Sequence, residues 1–308
     1  MILIIGASST VGKAIIPLLL EAGHTLRLSS RDPGKLKTYQ TAGVGIVQAD
    51  LLEKASIERA CQGVDQVLMC SHSIIGRGKN ASKFVDLDGG RLLIDVARKQ
   101  GVSHFVYLSA LGASTSHSST FFRHKAQVEA YLKQSGLSYT ILRPSAFFLP
   151  HTVLHSQAFS QPQLALQEFL AGSKATFFGR GETPHNYVAN EDVARFAFIA
   201  LTDPQAVNQT IEIGGLENLT VREVAEIYSR ATGIPKTLNA MPLLIPGLMH
   251  LALKPFHPGL SDAMGIAVEN DRVPSPFDMT ATLKQYPVAL TRLEDWVYAQ
   301  MRERQPVV

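Results

Sequence analysis

The chain has 308 residues, a net charge of +3, 45% hydrophobic residues and 18% charged ones. That balance describes a globular protein with enough chain for a large core, and so mild a charge excludes a nucleic-acid binder as the first reading. Its two cysteines, Cys61 and Cys70, lack metal-ligand spacing and read as reduced thiols of a cytoplasmic core, with no metal site expected. No signal peptide is expected, because residues 1–5 run straight into a glycine turn, and no apolar run reaches membrane-spanning length. The nearest, residues 241–256, is interrupted by Pro242, Pro246, Lys254 and Pro255.

Residues 1–5 are almost wholly apolar, β-branched and too short for a helix, so they read as a strand buried on both faces. Gly6-Ala7-Ser8-Ser9-Thr10-Val11-Gly12 follows, then a helix over residues 13–22 with Ile15, Leu18, Leu19 and Ala22 on one face. Strand, small-residue turn and helix form a phosphate-binding corner. Glycine lets the backbone approach a pyrophosphate, and the helix N-terminus offers unpaired N–H groups. Gly6, Ser8, Ser9, Thr10, Val11 and Gly12 are therefore candidate cofactor contacts; a tight turn without a ligand is the bland alternative.

A second strand, residues 25–30, ends at Arg31. An acidic residue at this place would bond the ribose 2′-hydroxyl of NAD, whereas a guanidinium matches a 2′-phosphate. The sequence thus favours NADP(H) over NAD(H), although Arg31 could be only a solvated turn residue beside Asp32. Strand three, residues 45–50, places Asp50 at its end, either under the adenine amino group or at the start of the helix over 54–62. Strand four, residues 66–70, is followed by Ser71 and His72, near the cofactor's central ribose, and by a loop at 76–80. A helix over 88–100, strand five over 104–109, a helix over 121–134 and strand six over 138–144 continue the alternation. Ser109 stands at a strand end, where open α/β sheets bind ligands. Pro144, Ser145, Ala146 and Phe147 should pass beside the nicotinamide. The fold expected is α/β, a doubly wound parallel-sheet Rossmann fold with a small, mainly helical C-terminal cap.

Beyond residue 144 the pattern loosens. Residues 169–181 suggest a helix end, then a strand at 175–178 and a turn at 179–181; a helix at 193–201 and a strand at 208–214 are also expected. The capping box Thr220-Val221-Arg222-Glu223 opens a helix that ends near Gly233. Residues 235–287 are proline-rich with apolar helical pieces, of which 243–253 could be a lid, a partner or membrane surface, or simply packed. A last helix is expected over 291–304. Residues 1–150 are read as the NAD(P)-binding core. Residues 151–308 add sheet edges and a substrate or partner cap to the same compact unit.

With Gly6 to Gly12, Ser109, Lys125 and Leu142-Arg143-Pro144 in view, the chain resembles the atypical short-chain dehydrogenase/reductases. Within them it is most similar to the NmrA-like group, which includes isoflavone-reductase-like and quinone-oxidoreductase-like proteins. Asn186-Tyr187-Val188-Ala189-Asn190 also fits that group. The resemblance implies roles for Lys125 at the nicotinamide ribose and for Ser109 at the reacting end, both as candidate catalytic residues. It also implies a tyrosine four residues before the lysine, and this chain has Phe121 there. Phenylalanine transfers no proton.

Three readings follow. Lys125 could itself be the acid/base; hydride could pass to a quinone-like or enone acceptor with protons from solvent or His124; or Lys125 could only hold the ribose. The first two make the chain an NADPH-dependent reductase of an apolar or planar small molecule. The third makes it a non-catalytic NADP(H)-responsive regulatory protein or assembly factor with a protein partner. His124 reads by itself as a solvated helix residue, and Tyr107 and Tyr139 as core. Phe147, Phe148, Phe177 and Phe178 could wall a pocket, but ordinary core is the better expectation.

Overall fold

The computed structural model describes residues 1–148, 172 and 174–302. The expected domain boundary at 150/151, the start of the helix end expected near residue 169 and the last two residues of the helix expected to reach 304 lie outside the described residues. In chain order come β1 (Ile2–Ile5), α1 (Thr10–Glu21), β2 (Leu26–Ser30), β3 (Val44–Gln48), α2 (Lys54–Cys61) and β4 (Gln66–Met69). A π-helical turn (Lys83–Asp88) leads into α3 (Gly89–Lys99), followed by β5 (His104–Leu108), α4 (Thr120–Gln134), β6 (Ser138–Pro144) and β7 (Ala146–Phe147). The later elements are β8 (Lys174–Phe178), β9 (His185–Val188), α5 (Asn190–Thr202), β10 (Gln209–Ile213), β11 (Glu217–Leu219) and α6 (Val221–Thr232). The chain closes with β12 (Thr237–Met241), α7 (Leu244–Leu253), α8 (Pro258–Arg272), α9 (Thr280–Gln285) and α10 (Leu293–Arg302).

The central sheet has seven strands in the order β10-β6-β5-β4-β1-β2-β3, and every pair in it is parallel. Alternation of side chains along each strand sorts the core into two layers. Ile2 and Ile4 of β1 pack on the α1 and α5 side with Ile15, Leu19, Val193 and Ala197. Leu3 and Ile5 pack on the opposite side with Ile57, Leu93, Ala97, Val128 and Leu132. Strand order reverses between β1 and β4, and there the carboxyl ends of neighbouring strands open a crevice.

A third cluster joins the C-terminal part: Phe148, Tyr187, Tyr228, Trp296 and Val297. Thr220 and Glu223 form the expected capping box, and Gly233 closes α6 with a left-handed residue. The end of the chain is pinned through Asp192, whose buried carboxylate accepts the Thr291 N–H at 2.8 Å and the Thr291 hydroxyl at 2.7 Å. One helix departs from expectation. The run over residues 88–100 begins at Gly89, and a π-helical turn precedes it. Helical periodicity carries no mark of such a turn, because the turn is too short to set up a period of its own.

Candidate cofactor-binding and active site

Gly6 has φ +90°, and a Cβ there would lie 2.7 Å from the Ser71 nitrogen at the end of β4. At Gly12 a Cβ would lie 2.5 Å from the Gly6 carbonyl oxygen and 2.9 Å from Ala7 backbone atoms. These contacts are with backbone, which cannot swing aside, so the turn and the first turn of α1 are closely nested. Ser9 caps α1 by accepting the Gly12 N–H at 3.0 Å. The remaining N–H groups of the first turn, at Thr10 and Val11, have no intrahelical acceptor, as at any helix start. The Ser8 hydroxyl lies 3.4 Å from that of Ser30. The Thr10 hydroxyl donates to Asn190 Oδ1 at 2.9 Å, tying the corner to α5.

Around this corner stand the other expected contacts. Arg31 is exposed and donates to Asn80 Oδ1 at 3.0 Å. Asp32 is turned from it, accepting the Gly34 N–H at 3.0 Å, and among the described residues no carboxylate pairs with the guanidinium. Asp50 accepts the Leu52 N–H at 3.0 Å in a local turn; Glu53, not Asp50, occupies the N-cap of α2. Next to it Leu51, Leu52, Lys79, Phe84 and Leu92 line an apolar recess of about 580 Å³. The Ser71 hydroxyl is buried with no hydrogen-bond partner among the described residues, directly behind Gly6. His72 is exposed, its ring edge-on to Phe121 at 6.3 Å. A nested glycine turn, a capped helix start and an orphaned hydroxyl fit a dinucleotide's pyrophosphate and ribose.

Lys125, from α4, is 2% exposed. Its Nζ donates to the Leu108 carbonyl at 3.0 Å and lies 3.4 Å from Asp86 Oδ1. The Tyr107 and Phe121 rings flank it at 4.9 and 5.5 Å. Burial pushes the ammonium below the usual lysine range, against the opposing charge and hydrogen bond of Asp86. Phe121 is buried, so the position that would carry a phenol is filled by a dry ring. Phe121 also meets Phe122 edge-on at 5.5 Å, and Phe122 stacks on His117 at 4.3 Å. This aromatic wall beside Lys125 was not expected. Of the four phenylalanines weighed as a pocket wall, Phe148 and Phe177 are buried core and Phe147 packs against the core.

Ser109, at the end of β5, donates to Glu129 Oε1 at 2.5 Å. Glu129 is buried on α4 and also receives Arg143 Nε at 3.0 Å and Nη2 at 2.6 Å. The serine hydroxyl is thereby committed to a carboxylate–guanidinium pair that locks β5, α4 and β6 together. After β6, the Pro144 carbonyl accepts the Leu111 N–H at 2.8 Å, and the Ser145 hydroxyl lies 2.9 Å from Asn186 Oδ1. Ala146 is exposed and Phe147 half-buried. Asn186 also accepts the Gly215 N–H at 2.7 Å, so one buried amide fixes both segments. His124 is a correction: it is buried, not solvated, with Nδ1 3.0 Å from the Ser82 hydroxyl. Burial also lowers its pKa. Asp86 and Glu129 were missed, their only sequence signal being an acidic residue between apolar neighbours, and Asn186 was singled out only as part of a segment that fits the family.

The corner, the switch-point crevice and the buried lysine define a dinucleotide-binding α/β protein. The chain belongs to the NmrA-like family, whose profile matches residues 1–247. It is similar to the photosystem II assembly factor Ycf39 of Trieres chinensis, 26% identical over 96% of this chain and 91% of that one. It is also similar to an NAD(P)H azoreductase of Xenophilus azovorans, 27% identical over 79% of this chain and 78% of that one. Among solved structures, the NADPH-dependent quinone oxidoreductase QOR2 of Escherichia coli, complexed with NADPH, shares the fold with a TM-score of 0.73. Identity there is 22%, with 98% of this chain and 100% of that one covered. Among the described residues no helix is long and apolar enough to cross a membrane.

Proposed function

We propose that this chain is an NADP(H)-dependent reductase that passes hydride to a planar conjugated acceptor, a quinone or an enone. The observation that carries the reading is the Lys125 ammonium, dry, flanked by aromatic rings and held at the end of β5 by the Leu108 carbonyl. The nicotinamide of a bound NADPH would supply the hydride. Gly6, Gly12 and the first turn of α1 would hold its pyrophosphate, Asp50 and the neighbouring recess its adenine, and Arg31 its 2′-phosphate. Ser71 and Lys125 would hold the ribose on the nicotinamide side, and the 144–147 segment would back the ring. Lys125 orients the cofactor and places positive charge where the acceptor oxygen becomes anionic. One hydride and one solvent proton convert a quinone to a hydroquinone. Ser109 supports the site through Glu129. The azoreductase and quinone oxidoreductase among the similar proteins lend support to a reductase, and the expected location is the cytoplasm.

The deciding experiment follows NADPH oxidation with a panel of quinones and enones, beside an NADPH binding titration. Acceptor-dependent oxidation that is lost in Lys125→Ala is expected; full activity in Lys125→Ala removes the lysine from the mechanism. A second reading, a non-catalytic NADP(H)-responsive assembly factor, draws on Phe121 in the place of a proton-donating phenol and on the similarity to Ycf39. Tight NADPH binding with no oxidation of any acceptor favours it.

A further inference from the structure

One buried carboxylate beside Lys125 has no part in the reading above. Asp86 is 0% exposed. It is delivered by the π-helical turn Lys83–Asp88, which turns Asp86 and Leu87 inward and leaves Lys83 and Phe84 outside. Such wide turns recur at functional sites because the extra residue redirects a side chain that an α-helix would point elsewhere. Asp86 Oδ2 accepts the Ser73 N–H at 3.0 Å, which anchors the loop that carries Ser71 and His72. Its Oδ1 has no hydrogen-bond partner among the described residues other than the Lys125 ammonium 3.4 Å away. A carboxylate this deep is tolerated only beside an opposite charge.

We propose that Asp86 is a positioning residue that keeps Lys125 an ammonium and fixes it at the dinucleotide, an inference that rests on the cofactor-binding reading. The other groups facing the lysine do not fill this part. Glu129, on the lysine's own helix, is already paired with Arg143. Cys70, at the end of β4, stays a thiol because burial pushes it up to about 11. The Tyr107 hydroxyl is buried and stays protonated, pushed up by burial first and then by the Asp86 and Glu129 charges. His72 and His124 carry no negative charge in either protonation state and cannot be the counter-charge. Asp86 is left as the counter-charge, opposing the burial that favours the neutral amine.

Asp86→Asn keeps the size and, through its amide oxygen, the acceptor for the Ser73 N–H, and replaces the charged oxygen facing Lys125 by an uncharged NH2. The first measurement is a carbon NMR titration of lysine Cε in the protein without cofactor, with Lys125 assigned by its loss in Lys125→Met. In Asp86→Asn the Lys125 ammonium should be lost at lower pH than in the wild type, with Asp86→Glu restoring it in part. Identical titrations in wild type and Asp86→Asn overturn the proposal. The second is NADPH affinity. Asp86→Asn should match the wild type at mildly acid pH and bind about tenfold more weakly at alkaline pH; a pH-independent ratio overturns the proposal. Should wild type bind no NADPH, the cofactor reading fails while the NMR titration still judges Asp86. Should Asp86→Asn fail to fold, Asp86→Asn/Lys125→Met decides. A cooperative melt regained in the double variant is expected for a coupled pair, and a double variant that also fails to fold refutes it.

Discussion

Ser109→Ala asks whether the hydroxyl at the end of β5 holds the site together or reacts in it. Its donor is committed to Glu129 Oε1 at 2.5 Å, with both residues buried. A hydrogen bond to a charged partner contributes about 1.5–3 kcal/mol net. Alanine would not orphan the carboxylate, because Oε1 keeps Arg143 Nε at 3.0 Å and Oε2 keeps Nη2 at 2.6 Å. The loss therefore falls at the low end, about 1.5 kcal/mol, or about 3 °C in Tm for a chain of this size. Glu129→Gln should cost more, about 3 kcal/mol, since among the described residues Arg143 then keeps as a charged partner only Glu212, which is 43% exposed. Thermal melts, NADPH titrations and NADPH oxidation with the best acceptor would be run on the same preparations. A lower Tm with NADPH affinity within about threefold and turnover within about tenfold of wild type is expected of a supporting residue. An unchanged Tm with turnover abolished would refute the assignment and return Ser109 to the reacting atoms.

Gly12→Ala should weaken NADPH binding by more than about tenfold and cost about 1–3 kcal/mol, because its Cβ meets backbone at 2.5 and 2.9 Å. Retained affinity would mean the corner does not hold the pyrophosphate. Arg31→Asp should move the cofactor preference from NADPH toward NADH, and an unchanged affinity ratio removes the 2′-phosphate role. Burial raises the Cys70 thiol from 9.0 to about 11, against the lowering hydrogen bond from Ser9. The unfolded chain releases this proton at lower pH than the folded one, so stability is full below about 9 and is lost as pH rises toward 11, by roughly 3 kcal/mol in all. Cys61, raised to about 12 by burial, adds in the same direction. Urea midpoints measured across this range should fall less steeply in Cys70→Ala; an equal slope would count against the linkage.

Much of this architecture is legible locally. Short apolar runs, βα alternation and the glycine corner each follow from neighbouring residues, and they place six of the sheet's seven strands, with β10 given by residues 208–214. Lys125 is legible only through the resemblance to short-chain dehydrogenase/reductases, which implies a lysine four residues after the position Phe121 holds. What resisted reading depends on distant partners. Glu129 looks like an ordinary helix-surface charge until Arg143 arrives from β6, and His124 looks solvated until Ser82 covers it. Asp86 is hidden twice over, by a π-helical turn with no periodic signature and by a partner 39 residues away on another helix.

Phe121 bears on the kind of acceptor. Hydride addition to a simple ketone leaves an alkoxide, so basic that a positioned acid must supply a proton as the bond forms. A phenol beside the lysine would do this, and the chain has a hydrocarbon ring there, 5.5 Å from Nζ. Of the two rings beside Nζ, Phe121 has no proton to give, and burial holds the Tyr107 phenol too weak an acid to serve. Addition to a quinone leaves instead a phenolate, whose conjugate acid has a pKa near tyrosine's, about 10. That anion survives in water long enough to be protonated from solvent after the step. It needs only a positive charge nearby while it forms, which in the proposed reaction Lys125 would supply. Phe121→Tyr separates the alternatives: if missing proton delivery is what bars ketones, the variant should gain measurable ketone reduction while quinone reduction stays within about threefold of wild type. A variant that gains no ketone activity would show that the pocket, rather than the absent phenol, selects the acceptor.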